Sequence, residues 1–467
     1  MKKELVSVII PLYNETKYLN EALDSICNQT YDNLEILIID SSTDPSVEKI
    51  LKNYSEKIKV IKQEKCGVAA ALNCGLENAQ GAYIARMDAD DISMSNRIEQ
   101  QVEFLSNNLM IDVVGSRAIV IDAEGRAEWT SSVPCLHENI ETNLIFENPM
   151  WHPTIMFRKK LVDEGWRYDT SKRTEDYDLW TRLIASGVKF ANIYDVLLKY
   201  RQYGGNCSTV NLEINEFDAA RSAKKYLEDK LKISFQQYDD DQFLRVGNKH
   251  LAKKRDCKYL VQQLDVLYTI YKRNEETNAF EKNSLNYELN KRWLEYIAPY
   301  YSGVTTALGM SDLYDMESIS RNQIFINKLG FMLGVSDDNK QELLDAFERY
   351  FELVRNNIKE WLQSDKTMVI YGCGQRSAKV LDVLSDLAGK RIINWKVIGV
   401  SDKTAKANNT IFKYIDPKNI VQEKYDYVII TSNKFFYEIK SQLIILGIPS
   451  SKILDNDWLF DIDGGTL

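Results

Sequence analysis

Between residues 5 and 120, short apolar runs alternate with amphipathic segments, and no other feature narrows the possible folds as much. Val6–Leu12, Leu34–Ile39, Ile58–Ile61, Ala82–Met87 and Val113–Val120 read as strands. Between them Leu19/Leu23/Ile26, Val47/Ile50/Leu51, Ala70/Asn73/Leu76 and Ile98/Val102/Leu105 recur at the three- and four-residue spacing of helices. Strands apolar on both faces and joined by crossover helices make an α/β fold with a mostly parallel sheet, covered on both sides. In such sheets ligands bind beyond the carboxyl ends of the strands, so the loops that follow these runs are where chemistry is expected.

At roughly 150 residues per domain, the 467 residues predict about three domains. Residues 121–210 continue as a loop-rich stretch with a helix beginning near Thr174. From 211 to 362 the pattern changes to long charged helices, with Leu260/Leu264/Leu267/Tyr271 on one face and Leu344/Phe347/Phe351/Val354/Ile358/Trp361 on another. From 363 to 467 a smaller α/β domain is expected, with strands Met368–Tyr371, Val397–Val400 and Tyr427–Thr431 and helices carrying Val380/Leu384/Leu387 and Ile439/Leu443. The predicted division is therefore 1–210, 211–362 and 363–467.

Composition narrows the chemistry. With 59 Lys+Arg against 68 Asp+Glu the net charge is −9, which argues against a nucleic-acid partner. Seven cysteines are scattered without a C-x-x-C pair, which predicts reduced thiols and a cytoplasmic chain. Three histidines leave little for a multi-histidine centre, so a metal is expected on carboxylates. The apolar run at residues 6–12 is interrupted by Pro11 and followed by Asn14, and reads as a strand rather than a signal peptide. No stretch approaches the ~18 to 20 apolar residues of a membrane span; membrane contact is expected to be peripheral at most.

Three segments combine chemistry-bearing residues with strand ends or helix starts. Pro11-Leu12-Tyr13-Asn14-Glu15 and Asp40-Ser41-Ser42-Thr43-Asp44 follow the first two strands. They fit ordinary turns and caps, and equally a Tyr stacked on a base with Asp40 accepting its hydrogen bond. Arg86-Met87-Asp88-Ala89-Asp90-Asp91 follows the fourth. In extended chain, residues i and i+2 point the same way, so Asp88 and Asp90 converge; such a pair suits Mg²⁺ or Mn²⁺ bound to diphosphate, or else caps the next helix. Glu175-Asp176 open a helix with Thr174 as its expected N-cap and Gly187 as its end. Acids in a first turn complement the helix dipole, and Asp176 also fits a general base. Trp151 and His152 lie in a Pro-rich loop, where a tryptophan either stacks on a sugar or is simply half-buried. Tyr371-Gly372-Cys373-Gly374 with Asp402 after the next strand partly matches a dinucleotide fingerprint, with Ser377 where the third glycine belongs. The glycines equally fit a plain strand-to-helix turn.

Taken together, Ser7 to Glu15, Gly67 to Gly75, Arg86 to Asp91, His152-Pro153-Thr154 and Glu175 to Trp180 stand in an order that resembles family 2 glycosyltransferases of the GT-A fold, over about residues 5–210. The resemblance implies an inverting, Mn²⁺- or Mg²⁺-dependent enzyme that moves a sugar from a nucleotide-diphosphate sugar, by default a UDP-sugar, to a hydroxyl of a saccharide or lipid-linked acceptor in cell-surface polysaccharide synthesis. It implies that Pro11, Tyr13, Glu15 and Asp40 hold the nucleotide, Asn73 and Asp88 its ribose side, Asp88 and Asp90 the metal, and Arg201 the diphosphate. Asp176 would be the base, with Glu175 beside it. Asp40 is followed by Ser41-Ser42 where the family often has a second acid, Leu72 stands where many members have Arg, and Tyr203 where many have His. The C-terminal segment resembles Rossmann-like modules, which implies a second nucleotide site at Gly372, Gly374 and Asp402, for NAD or another nucleotide, or a role in assembly such as a homo-oligomer. Two further functions stay open: a nucleotide-sugar oxidoreductase or epimerase centred there, and a sugar-nucleotide-binding scaffold without activity.

Overall fold

A computed structural model describes residues 3–64, 67–131, 133–203, 212–238, 257–282, 365–372, 375–389, 394–402 and 412–431, with scattered positions besides. Its contacts divide into two units, residues 1–248 with 273–285, and residues 249–272 with 286–467.

The first unit is built on the expected alternation: β1 (Val6–Leu12), α1 (Leu19–Cys27), β2 (Leu34–Asp40), α2 (Pro45–Lys52), β3 (Ile58–Lys62), α3 (Val68–Asn78) and β4 (Tyr83–Arg86). β1 pairs in parallel with β2 and β4, and β2 with β3. The order β3-β2-β1-β4 reverses at β1, which opens a crevice between the carboxyl ends of β1 and β4. Val8, Ile9 and Ile10 are buried with Leu37, Ile38 and Ile39, each such side chain contributing about 1.5–3 kcal/mol. The predicted face Leu19/Leu23/Ile26 of α1 is buried. Gly75 of α3 lies so close to Ile9 that a Cβ there would collide with it, which seats the helix tightly on β1.

The stretch 121–210 holds more regular structure than its loop-rich sequence suggests. After β5 (Ile92–Ser93), α4 (Arg97–Asn107) and β6 (Val113–Ile121) come β7 (Ala127–Thr130), α5 (His137–Asn143), β8 (Met156–Arg158), α6 (Lys160–Asp163), α7 (Glu175–Ala185) and β9 (Phe190–Arg201). β8 runs antiparallel to β4 and β6, and β7 to β6, while β9 is parallel to β6 and antiparallel to β5. β8 is only three residues long, and the β6–β9 register shifts on both sides of Arg117, so neither leaves a clean alternation in sequence. α7 ends at Gly187, whose φ of 96° supplies the left-handed cap. α8 (Leu212–Leu231) packs on α7 and belongs to this unit. Among the described residues no helix is long and apolar enough to cross a membrane.

In the second unit, β10 (Lys366–Tyr371), β11 (Trp395–Ser401), β12 (Tyr427–Ile430) and β13 (Ile453–Leu454) form a parallel sheet in the order β11-β10-β12-β13. The helix Gln375–Gly389 follows β10 and buries Val380 and Leu384. The apolar face at 344–361 lies outside the described residues.

Candidate functional site

The crevice between β1 and β4 gathers acids. Asp88, Asp90 and Asp91 offer carboxylate oxygens that lie within 4.8 Å of one another. Buried Arg86, the last residue of β4, grips Asp88 with both guanidinium nitrogens at 2.6 Å. Burial, then the Asp88 charge, push Asp90 up to about 6. Asp91 is driven well above the usual carboxylate range by burial and by both neighbours, and its Oδ2 has no hydrogen-bond partner among the described residues. A buried carboxylate oxygen without a donor is costly. A divalent cation would relieve both the repulsion and the missing partner, so the donor set fits a hard metal ion.

Arg201, at the end of β9, holds this loop. Its backbone N–H donates to Asp91 Oδ1 at 2.8 Å and its Nε to the Asp90 carbonyl at 3.0 Å. The guanidinium stacks on Tyr18 at 4.2 Å and pairs with Glu21. The side chain expected on a diphosphate is thus buried and engaged in seating the aspartates. The Tyr203 hydroxyl donates to Asp90 Oδ2 at 3.2 Å. Glu15 accepts from the Tyr18 N–H at 2.7 Å, just before α1, and its charge is felt at Asp90 and Tyr203.

Elsewhere around β1 the predicted donor residues divide. Tyr13 is 47% exposed, while Asp40 is 0% exposed, bound to Lys62 at 2.6 Å and to the Ser42 N–H at 2.8 Å. Pro11, one residue before the end of β1, is in register with Ile39. Asn14 adopts φ 53°, and its side-chain oxygen accepts from the N–H groups of Thr43 and Asp44, locking the two strand ends together. Asn73 spends its amide on Tyr168, donating to the carbonyl at 2.9 Å and accepting from the N–H at 3.0 Å.

Tyr168 links to a second cluster. Its hydroxyl lies 3.0 Å from His152 Nε2, and His152 Nδ1 faces Glu175 at 3.9 Å and Asp176 at 4.0 Å. Burial, then the Arg86 charge, hold His152 well below its ordinary value, so the ring is neutral. Burial and the Asp176 charge push Glu175 up to about 8. Asp176 is raised by burial, but a backbone N–H, the Arg86 charge and the Asn148 amide at 2.8 Å favour its anion. Both carboxyls are thus raised, and Glu175, with the Asp176 charge beside it and fewer hydrogen bonds to its anion, is the member pushed further toward its protonated form. Arg86 acts on both clusters, which sets the two predicted acid pairs around one buried cation.

At the start of α7, Thr174 is the N-cap residue as expected but makes no side-chain cap; Asp218 of α8 accepts from the N–H groups of Arg173 and Thr174 at 2.7 and 3.1 Å. A carboxylate answers two orphan donors better than one hydroxyl. Asp218, Asn148, Tyr168 and Asp91 were not singled out from sequence; only Asp91, adjoining the D-x-D triplet, carried a signal.

In the C-terminal sheet, Gly372 has φ 128°, and a Cβ there would collide with the Thr431 hydroxyl. Ser377 and Thr431 share a buried hydrogen bond of 2.7 Å beside it. The Asp402 carbonyl accepts from Tyr414 at 2.9 Å. Gly374 lies outside the described residues.

Comparison with known proteins adds relatives to this geometry. The family model described as glycosyl transferase family 2 matches residues 7–166, and one described as C2185-like, N-terminal, matches residues 364–454. An uncharacterized glycosyltransferase of Methanocaldococcus jannaschii is 37% identical over 209 residues, 43% of this chain and 72% of that one. The O-antigen biosynthesis glycosyltransferase WbnJ of Escherichia coli is 31% identical over 239 residues, 50% of this chain and 92% of that one. The amylovoran biosynthesis glycosyltransferase AmsE of Erwinia amylovora is 30% identical over 203 residues, 42% and 76% of the respective chains.

Proposed function

The chain belongs to the family 2 glycosyltransferases, and from that premise we propose that it transfers a sugar, with inversion, from a nucleotide-diphosphate sugar to a hydroxyl of a saccharide or lipid-linked acceptor in cell-surface polysaccharide synthesis. The observation that carries this reading is the pairing of two unlike acid clusters around Arg86. One is a crowded aspartate trio with Arg86 set against its three carboxylates, the other a buried carboxyl pair in which both members are pushed up.

In this mechanism Asp176 accepts the proton of the acceptor hydroxyl as that oxygen attacks the anomeric carbon. Its partial exposure, 20% of the side chain, leaves an approach for the acceptor. Asn148 orients its oxygen, and neutral His152 adds no competing charge. Protonated Glu175 keeps the negative charge on its neighbour. Asp88 and Asp90, with Asp91 behind them, would hold Mn²⁺ or Mg²⁺, which when bound neutralises charge on the leaving diphosphate. Glu15, Pro11, Tyr13, Asp40 and Asn73 border the nucleotide in this proposal, and Arg201 works by seating Asp90. The C-terminal sheet is assigned a second nucleotide site over Gly372, Gly374 and Asp402, or an assembly role. The three-part division at 210 and 362 and a cytoplasmic, membrane-peripheral location complete the proposal.

The test is nucleotide release from a panel of UDP- and GDP-sugars with and without Mn²⁺, repeated with NAD. Metal-dependent release is expected, and Asp176→Asn should lower it by about 10²- to 10⁴-fold while UDP still binds. Full turnover in that variant removes the base assignment; NAD reduction without nucleotide release removes the transferase mechanism.

A further inference from the structure

A row of aromatic rings leads from the surface to the chain segments that carry His152 and Arg201. Trp129 on β7 and Tyr200 on β9 are each in register with Val120 of β6, so they stand on one face of the sheet, two strands and roughly 10 Å apart. The Trp151 ring bridges them, edge-on to Trp129 at 5.8 Å and to Tyr200 at 5.0 Å. At the inner end the row touches the chemistry through the chain itself. Trp151 precedes His152, which faces Glu175 and Asp176, and Tyr200 precedes Arg201, which seats Asp90 and Asp91. At the outer end Trp129 is 49% exposed.

We infer that Trp129 and Trp151 form an acceptor subsite for a pyranose ring, the sugar residue that carries or adjoins the attacking hydroxyl; this rests on the glycosyl-transfer reading above. An aromatic face carries negative quadrupole density and attracts the polarised C–H face of a sugar, while the ring's hydroxyls remain free for water and polar neighbours. The surroundings match that amphipathic ligand. Trp129 stands on an exposed strand, and Arg126 with Asp122 and Glu124 forms a charged group at the turn that precedes it. A lipid chain or a large protein partner would instead need a contiguous apolar patch. Two stacking surfaces also supply the orientation that a single hydrogen bond to Asp176 does not, and orientation is a large part of what such a displacement requires.

The experiment uses the full chain. Saturation-transfer NMR is recorded against a panel of methyl glycosides (glucoside, galactoside, mannoside and the N-acetylated sugars) for wild type, Trp129→Ala and Trp129→Phe, and nucleotide release from UDP-sugars plus Mn²⁺ is measured in parallel with each glycoside. Wild type is expected to saturate the ring protons of at least one glycoside. Trp129→Ala should weaken that affinity about tenfold, with a matching loss in the share of donor turnover that reaches the glycoside rather than water; Trp129→Phe should keep most of both. The subsite is overturned if wild type saturates none of the glycosides, or if Trp129→Ala binds them as tightly as wild type. Glycoside binding without any nucleotide release would leave the subsite standing and sink the transferase mechanism instead.

Discussion

Replacing Glu175 by Gln removes a carboxyl that burial and the Asp176 charge push toward its protonated form, and the consequence can be worked from its environment. Glu175 is 7% exposed, and burial with the Asp176 charge pushes its carboxyl up to about 8 in the folded chain from 4.5 ordinarily. Its folded value lies above its unfolded one, so the native state binds the extra proton. The resulting stabilisation is complete below about pH 4.5 and disappears as pH rises through 8. Between pH 5 and pH 8 wild type should lose up to about 3–4 kcal/mol from this group, an upper figure because Asp176 shares the titration. Glu175→Gln cannot lose it. For a unit of this size, 1 kcal/mol corresponds to roughly 2–4 °C, so between pH 5 and pH 8 the wild-type transition should fall up to about 7–14 °C further than that of the variant. Differential scanning calorimetry at several pH values reads this directly. Parallel melting curves for the two proteins would mean that Glu175 is ionised like any surface acid, and the raised carboxyl beside the proposed base would have to be abandoned.

Two other substitutions separate seating from binding. Asn73→Ala should cost about 1–3 kcal/mol in urea unfolding, since it removes two hydrogen bonds to Tyr168; a loss of UDP affinity with unchanged stability would return that amide to the nucleotide. Asp90→Asn should weaken Mn²⁺ binding, followed by electron paramagnetic resonance, by about 10²-fold or more, by comparison with the 10–100-fold typical of residues merely adjoining ligands; an unaltered affinity would move the metal elsewhere.

The parallel half of the first sheet was legible because its strands are buried on both faces and its helices carry one apolar stripe each: Ile36 to Ile39 and Leu19/Leu23/Ile26 leave little choice. β8 and β9 were not, because three residues make no period and the bulged register around Arg117 blurs the longer strand. The acids of the site could be named from their spacing, since i and i+2 must converge beyond a strand. Their partners could not. Nothing local announces that Asn148 will reach Asp176, that Asp218 will cap α7 from a different helix, or that Arg201 will turn back from β9 to hold a loop 110 residues earlier. Those are products of tertiary closure. The C-terminal glycine pattern shows the converse: Gly372 is needed for Thr431 whether or not a nucleotide ever approaches.

β9 gives the enzyme a mechanical handle. The strand is locked to β6 over most of its length, and its last residue clasps the aspartates through one N–H and one guanidinium, with Tyr203 two positions further on reaching the same carboxylate. Tension or slack in the polypeptide just past this point would be delivered to Asp90 and Asp91 before anything else in the crevice. A splice, tag or cleavage placed there should consequently disturb the proposed cation site while leaving the proposed base on α7 in register.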